Sequence, residues 1–111
     1  MSAAIVLSNQ HNWAVKNWVF YQFFDDIRAL EPTNQKLQGY LDQAEPILFD
    51  DFRNNPDDVW VAQICYFVAK QVVTGRLPTT CKSELLQAYI TALLELVRLF
   101  EDNGRFVGSG S

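Results

Sequence analysis

The sequence predicts an all-α fold, a compact bundle of about five helices in which the helix from Pro56 to Thr74 is central and buried. Three observations carry that expectation. Long apolar segments run without Gly or Pro, prolines and capping residues punctuate them at helical lengths, and no internal repeat, low-complexity tract or sustained heptad suggests another architecture. With 49% hydrophobic residues and four prolines in 111, the chain has ample apolar surface for one core. We expect a single helical domain over 1–107, with 108–111 (GSGS) a flexible tail outside it.

The first helix is read from Asn12 to Leu30, where Trp13, Phe20, Phe24 and Ile27 fall on one side at about 100° per residue. Trp18 and Tyr21 fall on a different side, together with Asp25 and Arg28. Pro32 ends the helix. Thr33 or Asn34 then caps a short second helix carrying Leu37, Tyr40, Leu41 and Ala44, in which Gly39 costs up to about 1 kcal/mol. A third begins at Pro46, with Ile47, Leu48, Phe49 and Phe52 apolar and Asp50, Asp51 and Arg53 on its wetter side; the Asn54-Asn55 pair breaks it.

Asn55-Pro56-Asp57-Asp58 is the strongest boundary signal: a capping residue, proline at the first helical position, and two acids where the helix dipole favours negative charge. The helix that follows runs to Gly75, the expected left-handed terminator, and its polar residues reduce to a narrow strip of Gln63 and Lys70. Its β-branched residues suit a strand, but its length and the stop at each end favour a helix. Thr80 or Ser83 caps the last helix, which ends at Asn103-Gly104. Gln87, Thr91, Glu95 and Arg98 form its polar arc; Leu85, Leu86, Tyr89, Leu93, Leu96, Leu99 and Phe100 occupy the rest.

Charge is unevenly distributed. Residues 1–58 hold nine acids and four bases, residues 59–111 four acids and five bases, so the overall −4 comes from the first half. A negative chain without a Lys/Arg run repels phosphate backbones, which argues against direct nucleic-acid binding. The apolar stretch in MSAAIVLSNQHNW stops after about five residues, too short for a signal peptide or a membrane span. Cys65 and Cys81 lie outside any CxxC spacing, and two reduced thiols in a cytoplasmic protein fit better than a disulfide between them.

Catalytic motifs are absent from the sequence. His11 is the only histidine and no Ser or Cys accompanies it in a recognisable nucleophile motif. The Cys and His spacing matches no zinc pattern, and DDFRNNPDD lacks the glycine and closing glutamate of a calcium loop. No metal and no cofactor is expected.

The acidic pairs are what remains. Asp57-Asp58 is explained as a helix opening, whereas Asp25-Asp26 opposes the dipole near a helix end and shares its surface with Trp18 and Tyr21. In size, acidity and helical pattern, taken over the whole chain, the protein resembles the small α-helical immunity proteins of bacterial toxin systems, of the contact-dependent growth inhibition or colicin type. That resemblance implies a non-enzymatic inhibitor of a cognate toxin, a nuclease for example, whose basic active site the acidic surface covers. Trp18, Tyr21, Asp25, Asp26, Asp50 and Asp51 are the partner-binding candidates, and the free protein is expected as a monomer or weak homodimer. The alternative is a small helical enzyme or a ligand- or metal-binding domain using carboxylates between the first and third helices.

Overall fold

Three segments fold instead as strands, one before the expected first helix and two inside expected helices. A computed structural model describes residues 2–53 and 56–107, and it is an α+β fold, which overturns the all-α five-helix bundle. Strand β1 (Ser2–Val6) pairs antiparallel with β2 (Asn12–Lys16) and parallel with β3 (Phe49–Asp51), giving a three-stranded sheet in the order β2-β1-β3.

The reason lies in the period. In NWAVK, Trp13 is buried and Val15 half-buried while Asn12, Ala14 and Lys16 face outward, a two-residue alternation that is hidden when the segment is read as the first turns of a helix. Trp13 does reach the core, but from the sheet: its indole Nε1 donates to the carbonyl of Ala92 at 2.9 Å. In β1 itself, Ala3, Ile5 and Val6 are all buried, as suits the middle strand of three.

Helix α1 is therefore shorter than expected, Asn17–Leu30. Helix α2 (Gln35–Ala44) opens on Asn34, whose side chain accepts from the Leu37 amide at 3.1 Å. The expected third helix does not form. Pro46 sits in a single 3₁₀ turn, Glu45–Ile47, and Leu48 takes a left-handed conformation with φ 55°, turning the chain so that residues 49–51 enter the sheet as β3.

A second 3₁₀ turn, Pro56–Asp58, precedes α3 (Val59–Val73), so the helix proper begins three residues after Pro56. Asn54, Asn55 and 108–111 lie outside the described residues. Helix α3 packs on α1 and α4 through Val61, Ala62, Cys65, Val68, Ala69 and Val72, yet Gln63 and Phe67 are exposed, so one face stays open. Gly75, at φ 75°, ends it, and the Arg76 amide closes back onto the Gln71 carbonyl at 2.8 Å. Helix α4 (Leu86–Asn103) starts later than Ser83 and leaves Leu85 and Leu86 on the surface.

The core lies between the sheet and the helices. Phe20 stacks on Phe24 at 4.3 Å, Trp13 meets Phe23 edge-on, and Phe52, Phe100 and Phe106 close the far end. Emptying one of these ring sites costs about 3–5 kcal/mol. Beyond α4, Arg105 donates to the carbonyls of Phe52 and Arg53, which holds the end of the chain beside β3. Among the described residues no helix is long and apolar enough to cross a membrane.

Candidate functional site at an inverted strand

The register of the sheet places Asp50 in a row with Ile5 and Trp13 on the helix-covered face, and Phe49 in a row with Ala4 and Ala14 on the other. A half-buried strand ordinarily turns its apolar residues inward. Strand β3 does the reverse: Asp50 is 5% exposed and Phe49 41%. Such conflicts between pattern and burial gather at functional or strained positions.

The Tyr40 hydroxyl, on α2, donates to Asp50 Oδ1, while Asp50 Oδ2 is buried with no hydrogen-bond partner among the described residues. Burial is the main cause that pushes this carboxyl up to about 7; the Tyr40 hydrogen bond works against it, and the negative charge of Asp58 adds to it. The same burial, with the Asp50 hydrogen bond, holds the Tyr40 phenol well above its ordinary range. Cys65 of α3 completes the neighbourhood, its thiol raised by burial and then by Asp50.

Beside this pair, between the end of α2 and β3, lies a surface recess of about 320 Å³ bordered by Tyr40, Gln43, Ala44, Ile47, Phe49, Asp50 and Asp51. Ile47 is 68% exposed, so the rim is apolar while the most buried bordering residue is a carboxylic acid. Asp51 points outward and pairs with Arg53 at 2.7 Å, an interaction that holds its carboxyl below the usual range.

The remaining sequence candidates separate into different environments. Asp26 is buried and accepts from Tyr89 Oη and Thr79 Oγ1, both at 2.6 Å, and from Gln22 Nε2 at 3.2 Å and the Thr80 amide at 3.4 Å. It ties the loop before α4 to α1. Asp25 stays on the surface, where Arg28 gathers it with Asp42 and Glu45 at 3.5, 3.2 and 2.8 Å. Its carboxyl is raised by partial burial and then by Glu45, the mark of a locally crowded negative surface. Tyr21, one helical turn before Asp25, is 42% exposed, and Trp18 is half-buried against the core. The six residues thus do not form one surface: Tyr21 and Asp25 are exposed, Trp18 and Asp51 are half-buried, and Asp26 and Asp50 are buried.

One constellation was not visible in the sequence. Ser8 Oγ lies 2.7 Å from His11 Nδ1, and His11 Nε2 lies 2.8 Å from Asp102 Oδ2 on α4, the order of contacts found in a nucleophilic triad. The Ser8 oxygen already accepts the amides of Gln10 and His11 at 3.1 Å each, which occupies the lone pairs a nucleophile needs. The arrangement is therefore a turn that stabilises the β1–β2 hairpin and fastens it to α4. Its only sequence signal is a serine three residues before a histidine, and Asp102 is 91 residues further on. Among the described residues no group of three or more His, Cys, Asp or Glu gathers as a metal site.

No family model, curated protein or solved structure matches this chain.

Proposed function

We propose that this chain is a protein-binding module that meets a basic partner through the acidic surface of α1, α2 and the turn that follows α2, the role immunity proteins play toward a cognate toxin domain. One observation carries the reading: Asp25, Asp42 and Glu45 converge on the single cation Arg28 and leave a net negative face, with the half-exposed ring of Tyr21 one helical turn away from Asp25. Aromatic side chains beside charge are favoured anchors in interfaces, and like charge held in place before encounter speeds the approach of an oppositely charged surface. Asp26 and Asp50 are buried and take no part in this exposed acidic face; Asp42 and Glu45 take their place in it. Cytoplasmic residence fits the reading, with Cys65 and Cys81 both free thiols.

The test is co-expression with the product of the reading frame immediately upstream of this gene. The expected outcome is a stable complex whose affinity falls as salt rises, and protection of cells from that product when it is toxic. Asp25→Lys combined with Asp42→Lys should weaken the complex at least tenfold without unfolding the module. Affinity that stays constant across salt, or no complex at all, overturns the proposal.

A further inference from the structure

The recess at β3 is the second feature of this surface, and its chemistry selects a ligand. A buried carboxyl with one oxygen satisfied by Tyr40 and the other without a partner among the described residues has acceptor capacity to spare. The rim beside it, Ile47 and Phe49, offers an aliphatic and an aromatic surface to a stem or a planar group. We infer that the recess receives an arginine side chain supplied by the partner, whose stem lies along the apolar rim of Ile47 and Phe49 and whose guanidinium donates to the unpartnered oxygen of Asp50.

Charge complementarity makes the occupant cationic. The ionisable groups facing Asp50 are Tyr40 on α2, Asp51 on β3, Asp58 in the turn before α3 and Cys65 on α3, and none of them carries positive charge. A guanidinium suits the recess better than an ammonium because it is more weakly hydrated and presents several donors in one fixed plane. Asp50 Oδ2 is closed to solvent, so entry requires side chains that border the recess to shift. A cation binds the ionised carboxylate, so binding lowers the proton affinity of Asp50, releases a proton and strengthens as pH rises through neutrality.

This inference rests on the protein-binding reading but is tested without the partner. The full chain is titrated with acetyl-arginine amide and, in parallel, acetyl-citrulline amide, its uncharged counterpart of the same shape, while the ring resonances of Tyr40 and Phe49 are followed by NMR. The expected result is saturable binding of the arginine compound, at least about tenfold tighter than citrulline, as a charge-assisted hydrogen bond provides. Asp50→Asn should keep the fold and the Tyr40 hydrogen bond yet abolish the preference. Equal binding of the two compounds, a preference that survives Asp50→Asn, or no binding of either overturns the arginine site. If the recess fails while the complex with the upstream product forms and responds to Asp25→Lys with Asp42→Lys, the protein-binding reading stands alone; if the complex fails while arginine binds, the recess serves another basic ligand.

Discussion

Two carboxylates, Asp26 and Asp50, are buried to almost the same degree, 6% and 5% exposed, and they occupy opposite physical situations. Asp26 accepts from two hydroxyls, a side-chain amide and a backbone amide, donors from α1, α4 and the loop between α3 and α4. Asp50 accepts from one phenol, with a lesser contribution from the Asp51 backbone amide, and its second oxygen has no partner among the described residues. A buried carboxyl that is fully hydrogen-bonded organises a core, whereas one that is half satisfied weakens it. Equal burial therefore says nothing about role; the count of donors does.

The contrast is open to direct attack, and the largest effect belongs to Asp26. Asp26→Ala strands the hydroxyls of Tyr89 and Thr79 and should lower the urea-unfolding free energy by about 3–5 kcal/mol. A loss under about 1 kcal/mol would erase the distinction between the two acids.

Asp50→Asn should act with the opposite sign. The folded carboxyl titrates at about 7 against an ordinary 3.8, so the folded state binds the proton more tightly than the unfolded state does. Its stabilising contribution is complete below the unfolded value and is lost as pH rises toward 7, a cost of about 4 kcal/mol above that point. Asparagine carries no such cost, so the variant should be more stable than the parent at pH 8, by up to that amount, and nearly equal to it at pH 4. Urea midpoints that shift equally at both pH values would show that Asp50 does not titrate between them.

Tyr40→Phe takes from Asp50 its hydroxyl donor and should destabilise the protein by about 1–2 kcal/mol at pH 8, and less at pH 5 where the carboxyl is protonated. Carbon-detected NMR of Asp50 should then show its titration moving upward, because the Tyr40 hydrogen bond favours the ionised form. The smallest effect is expected from Asp25→Lys with Asp42→Lys. Both residues are exposed, and thermal melts should change by less than about 1 kcal/mol.

Much of the helical part of this fold can be read directly from the chain. Asn34, Gly75 and Gly104 end or open helices by local chemistry, and the amphipathic run of α4 needs no tertiary information. Asp26 was also within reach: it lies seven residues after Val19 and three after Phe23, both buried, so the apolar stripe of α1 runs through it. Asp50 was not, because its inward orientation follows from pairing with Ile5, a partner far away in sequence, and from the left-handed turn at Leu48. A two-residue period needs several residues to be legible; β3 has three and inverts it, and β2 runs without a break into α1. The same limits apply to the candidate site. Local charge pattern identified the acids, while long-range pairing decided which of them meet solvent.

The parallel pairing of β3 with β1 also has a kinetic side. The β1–β2 hairpin closes over a few residues, but β3 reaches β1 only after α1 and α2 have been threaded between them, so this contact carries the larger loop-closure entropy. Docking β3 is also the event that buries Asp50. Folding at mildly acidic to neutral pH therefore takes a proton from the buffer as a long-range strand pair closes, and unfolding returns it, so the acidity of the medium weighs most on the part of the sheet that is entropically hardest to assemble.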